Sequence, residues 1–195
     1  MSPSSKEKEI TIVSGLPRSG TSLAMQLLQA AGIEPYTDRL RPADVHNQKG
    51  YFESAKVLTL PSDKSWVSQA TGKSLKVIST LLSHLPAEFQ YRVVFMERSM
   101  DEIVLSQQRM LEGLGKKGAG IAPDRLAAIY TKELETVWAW MDKQENIEAL
   151  RISYNELLER PLSVILELIQ FIDSRATPEE LAKVLDHNLY RSKAG

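Results

Sequence analysis

The stretch ITIVSGLPRSGTSLAMQLLQAAG, residues 10 to 32, constrains the fold more than any other part of the chain. Its first four residues are apolar or β-branched and run through Ser14 into Gly15, which predicts a buried strand. From Gly20 a helix follows, because Leu23, Leu27 and Ala31 recur at helical spacing with Leu28 beside them and Gly32 as a C-terminal stop. A strand, a glycine-bearing turn and a helix start gather backbone N–H groups around one point, and the helix dipole adds partial positive charge there. The result is a cradle for an oxyanion, with Thr21 and Ser22 as extra hydroxyl donors. Gly15, Gly20 and Ser22 have the outline of a phosphate loop, but Thr21 stands where a nucleotide hydrolase carries lysine. Arg18 supplies the cation instead, and a guanidinium recognises an oxyanion in a planar, bidentate way at any pH.

Three further strands are expected at 74–79, 91–96 and 147–153, and helices at about 100–112, 124–144, 154–159, 162–173 and 178–186. Ser99 with Glu102, Ser153 with Glu156, and Thr177 with Pro178 and Glu180 fit the capping box. Strands alternating with helices predict an α/β fold of three layers, a parallel sheet of about four to five strands flanked by helices. Ligands in such folds gather at the carboxyl ends of the strands, where both the 15–22 loop and Arg98 fall. The domain expected from these elements covers 10–195, with 1–9 as a flexible, solvated tail, and 195 residues suffice for one core. "GLGKKGAG", 113–120, reads as a flexible connection.

Composition narrows the function classes. A net charge of −1 gives no footprint for general nucleic-acid binding or membrane-surface attachment. The absence of cysteine removes disulfides, thiolate chemistry and Cys-based zinc sites, and suits a cytoplasmic location. No apolar run reaches the length of a membrane span. A magnesium-dependent nucleotide reaction would also need a strand ending in aspartate, whereas the likeliest strand reads "VVFMERS". A transferred sulfuryl group carries less negative charge than a phosphoryl group, so fixed donors and one or two cations can serve it, and no metal is expected.

With those residues in view, the chain resembles the PAPS-dependent sulfotransferases, which take a sulfuryl group from 3'-phosphoadenosine 5'-phosphosulfate (PAPS). Their 5'-phosphosulfate loop, Pro-[Lys/Arg]-Ser-Gly-Thr-[Thr/Ser], is matched by Pro17, Arg18, Ser19, Gly20, Thr21 and Ser22. Their 3'-phosphate motif is matched by "RSMDEIVLS", with Arg98, Asp101 and Ser106. "ISYNELLERP", which contains Tyr154, is similar to the family's segment after a late strand. "NQKGYFE" is similar to short bacterial members. The resemblance implies a P-loop-like fold, PAPS as co-substrate, and transfer to a hydroxyl or amine of a small-molecule, sugar or peptide acceptor, with no nucleic acid or membrane as partner. It also implies a nucleotide contact from the basic tail at Arg191. Beside these functional roles, Asp101 is equally explained as a first-turn carboxylate.

An acceptor hydroxyl must lose a proton, so a general base is needed. Lys76 in "LKVIST" matches a lysine of the cytosolic relatives, but Ile78 occupies the position of their histidine base. Relatives with arginine in the loop use glutamate, and Glu53 is the candidate here. Two readings of Glu53 stand: the base, or a carboxylate opening a helix while Tyr51 and Phe52 anchor the core. Lys76 is read as stabilising the oxygen of the departing phosphate, or as a strand-edge lysine facing water. His46 is a poorer base candidate than Glu53, and His84 and His187 read as surface or capping residues. Trp138 and Trp140 read as packing, and Trp66 as packing or as a stacking partner for adenine or ribose. The alternatives to sulfuryl transfer are a P-loop nucleotide or small-molecule kinase and a non-catalytic nucleotide-binding protein.

Overall fold

The computed structural model describes residues 8–38, 52–113, 115 and 120–185. Four strands, β1 (Glu9–Gly15), β2 (Ser74–Lys76), β3 (Gln90–Glu97) and β4 (Ile147–Ser153), form one sheet in the order β2-β1-β3-β4. All three pairings are parallel, with Ile12 opposite Leu75 and Val93, and Val94 opposite Leu150. The helices are α1 (Thr21–Ala30), α2 (Met100–Gly113), α3 (Pro123–Met141), α4 (Tyr154–Glu159), α5 (Pro161–Phe171) and α6 (Pro178–Ala182).

Side-chain alternation divides the core into two halves, one on each face of the sheet. Ile10, Ile12, Leu75, Val77, Tyr91, Val93 and Phe95 pack with Val137 and Met141 of α3 and with the 57–85 segment. Val13, Val94, Met96 and Ile152 pack against α1, α4, α5 and α6 on the other face. Thus α1 and α3 lie on opposite sides of the sheet.

The expected elements are present with altered ends. β1 begins one residue before the expected domain boundary, because Glu9 pairs with Gln90 and its carboxylate lies 3.2 Å from Arg92 Nε. β2 stops at Lys76 rather than residue 79. Val77 N still donates to Val13 O at 2.9 Å, and a 3₁₀ turn then occupies Ser79–His84. The helix expected at 124–144 ends at Met141. Ser153 and Thr177 cap as expected, Thr177 with Glu180 in a full capping box. Glu102 uses its carboxylate elsewhere, as described below.

Candidate functional site

The loop between β1 and α1 is compressed from below and from the side. A Cβ on Gly15 would lie 2.5 Å from the Met96 carbonyl oxygen and 2.6 Å from Ser19 Oγ. A Cβ on Gly20 would lie 2.4 Å from Cδ2 of Tyr154, the first residue of α4. Both glycines have positive φ, 145° and 103°, and Arg18 itself sits at 73°, where a side-chain-bearing residue is strained. The first turn of α1 carries neither a side-chain cap nor an acidic residue. Ser19 Oγ is buried without a hydrogen-bond partner. An uncapped helix start free of carboxylates, above a loop that leaves a donor unused, fits a bound oxyanion.

Arg18 ties this loop to α2, since its Nε donates to Ser106 Oγ at 3.0 Å. Arg98, just beyond the end of β3, donates from Nη1 to the Arg18 carbonyl at 3.2 Å. Its guanidinium carbon lies 4.5 Å from the Tyr154 ring centroid. The three residues expected at the two phosphate ends of the nucleotide therefore form one connected group. Burial raises the Tyr154 phenol above its ordinary pKa; Arg98 and Arg18 pull it down and Glu102 pushes it up. Asp101 is exposed in the first turn of α2, as the helix-dipole reading expects.

Two residues here escaped the sequence reading. Glu102 Oε2 accepts from Arg98 Nε at 2.7 Å, and both side chains are buried, at 7% and 6% exposure. Asn155 Nδ2 donates to Glu102 Oε1 at 3.2 Å. The i,i+4 spacing of Arg98 and Glu102 was the available signal for the first; nothing local marks Asn155.

The second half of the site is on β2. Lys76 Nζ lies 3.3 Å from Ser22 Oγ and 3.4 Å from Glu53 Oε1. The Lys76 side chain is 12% exposed and that of Glu53 41%, so the lysine turns inward to α1 while the carboxylate stays accessible. Glu53 does not open a helix; the 3₁₀ turn that follows starts at Ala55. Its carbonyl accepts from Thr37 Oγ1 at 2.7 Å and from Asp38 N at 3.3 Å. Phe52 precedes it at φ 53°, in the left-handed region. A strained residue thus stands in each half of the site, Arg18 in the loop and Phe52 beside Glu53.

Other expected positions fall elsewhere. Trp66 stacks on Tyr36 at 5.7 Å and its indole N–H donates to Thr59 Oγ1 and the Asp63 carbonyl, so it is a packing residue. Trp138 packs on Phe95 and under Arg151. His84 ends the 79–84 turn. His46, Tyr51, His187, Arg191 and most of the 113–120 connection lie outside the described residues. A cavity of about 420 Å³ between that turn and α3 is lined by Ser79, Leu82, Ile129, Glu133, Val137 and Trp140. It belongs to the face of Leu75 and Val77, opposite the one Lys76 serves, so it is separate from the loop site.

A family described as the sulfotransferase domain matches residues 8–193, nearly the whole chain. The chain belongs to the sulfotransferase domain family. Solved structures of similar fold include the sulfotransferase domain of the Synechococcus PCC 7002 olefin synthase, at 16% identity and a TM-score of 0.59, covering 94% of this chain and 79% of that one. A sulfotransferase from Mycobacterium avium matches at 15% identity and a TM-score of 0.52, covering 91% and 67%. Retinol dehydratase, solved with androsterone and the inactive cofactor PAP, matches at 15% identity and a TM-score of 0.54, covering 91% and 63%. No curated protein matches the sequence. Among the described residues, this sulfotransferase-family chain has no cluster of three or more His, Asp or Glu that could hold a metal ion, and no helix long and apolar enough to cross a membrane.

Proposed function

We propose that the protein transfers the sulfuryl group of PAPS to a hydroxyl or amine of a small-molecule, sugar or peptide acceptor. The observation that carries this reading is the junction at Lys76, whose ammonium bridges the start of α1 at Ser22 and the carboxylate of Glu53. The start of α1, an ammonium and an accessible carboxylate thus lie together, which supports reading them as oxyanion cradle, cation and base. The PAP-bearing neighbour supports the choice of donor.

In this reading Pro17, Ser19, Gly20, Thr21 and Ser22 shape the cradle around the 5'-phosphosulfate. Arg98 and Ser106 receive the 3'-phosphate, Tyr154 walls the nucleotide, and Arg191 adds a contact from the tail. Glu53 takes the acceptor's proton as the acceptor oxygen or nitrogen bonds to sulfur. The bond from sulfur to the phosphate oxygen breaks, and Lys76 and Arg18 stabilise the charge that develops there before adenosine 3',5'-bisphosphate (PAP) leaves. Catalysis is then positioning and fixed charge.

The test separates turnover from donor binding. PAP release from PAPS is followed with 2-naphthol, a primary alcohol, a sugar and a tyrosyl peptide as acceptors. Lys76→Ala and Glu53→Gln should each lower turnover by about 100-fold or more, while PAP affinity stays within about threefold. Unchanged turnover in either variant removes that residue from the mechanism; no turnover by the unaltered protein with any acceptor removes the activity.

A further inference from the structure

A buried carboxylate on the arginine expected to bind a phosphate dianion is unexpected, because the two anions oppose each other. Glu102 nevertheless holds Arg98 Nε at 2.7 Å, with both groups shielded from water and Asn155 on the other carboxylate oxygen. Building on the donor reading above, we propose that Glu102 is an internal anion that competes with the donor's 3'-phosphate for Arg98, and so limits how tightly the 3'-phosphorylated nucleotide is held.

Two physical effects give the same sign. Without ligand, Glu102 offsets the charge of a buried guanidinium, and removing one charge of such a pair is unfavourable. With ligand, two anions on one guanidinium sit within about a Debye length, roughly 8 Å, in a poorly screened site, and repel. Neutralising residue 102 therefore destabilises the empty state and stabilises the filled one, and both shifts tighten binding. A competing effect is loss of the contact that orients Arg98. Glutamine keeps an oxygen for Arg98 Nε if its amide turns to Asn155 and the Asn155 side chain flips to present its own oxygen, so the orienting contact survives and the charge effect dominates for Glu102→Gln. The function of such an anion is release: the product PAP keeps the 3'-phosphate, so a site with no opposing charge would retain it.

Calorimetric titration with PAP and with adenosine 5'-monophosphate, which lacks the 3'-phosphate, tests this. The unaltered protein should prefer PAP. Glu102→Gln should bind PAP at least about tenfold tighter, with the monophosphate unchanged within about twofold. Glu102→Asp, which keeps the charge, should return toward the original affinity. Asn155→Ala removes an amide that draws on the Glu102 charge, and should weaken PAP binding several-fold without affecting the monophosphate. A purely structural role would weaken both nucleotides in every variant. Unchanged or weaker PAP binding by Glu102→Gln overturns the proposal, as does equal tightening of both nucleotides. If Glu102→Gln does not fold, unchanged or tighter PAP binding by Asn155→Ala overturns it. Lack of any preference for PAP in the unaltered protein overturns the donor reading as well, whereas a clear preference without the expected response at residue 102 overturns this inference alone.

Discussion

Replacing Arg18 by alanine should lower sulfuryl transfer by about 1,000-fold or more, measured as PAP release at saturating PAPS. The guanidinium is the loop's own fixed cation, and its Nε is anchored on Ser106 Oγ at 3.0 Å. On the proposed mechanism, removing it takes away charge stabilisation of the departing phosphate, and it breaks the link between the loop and α2. Arg18 sits at φ 73°, so alanine there inherits the backbone strain and glycine relieves it. Arg18→Gly should therefore be as inactive as Arg18→Ala, which separates the side chain from the backbone. Lysine should rescue little, because it cannot hold Ser106 and the donor with one planar fork. Near-normal turnover in the alanine variant would exclude Arg18 from the chemistry.

Gly20→Ala should weaken PAP binding by about 100-fold or more while leaving the fold intact. Its φ of 103° is hostile to any L side chain, a strain of about 1–3 kcal/mol. The new methyl would also fall 2.4 Å from Tyr154 Cδ2, an overlap that forced packing prices at about 1–3 kcal/mol more. Tyr154 has little room to retreat, since Arg98 lies 4.5 Å over its ring. Relief through the loop then distorts the cradle itself. Calorimetry with PAP and far-UV circular dichroism measure the two halves of this expectation. Adding Tyr154→Ala should restore part of the lost affinity if the overlap is the cause; wild-type affinity in the single variant would show that this contact does not shape the loop.

The β1–loop–α1 unit was legible because its signals are local: a β-branched run, a glycine turn and a helical repeat within 23 residues, 10 to 32. The expected β2 is too long because "KVIS" looks like strand; Val77 and Ser79 do stay buried, but Ile78 turns outward, 42% exposed, and the chain enters a 3₁₀ turn at Ser79. Lys76 and Glu53 were each singled out through resemblance to a family, but their meeting was not expected, since they stand 23 positions apart in sequence. Glu102 was misread for a physical reason. Its place three residues after Ser99 satisfies a local capping rule, whereas its actual partner depends on how α2 is rotated against the sheet and on an asparagine in α4. Local rules described each element; the contacts between elements decided the site.

On the proposed function, this loop and Arg98 grip a 3'-phosphorylated nucleotide through protein groups alone. Titrating the protein with PAP in the presence of a chelator, beside ATP with magnesium, tests it most directly. PAP binding should be indifferent to magnesium and stronger than that of ATP–magnesium. Binding of ATP–magnesium in preference to PAP, or PAP binding only when magnesium is supplied, would contradict it.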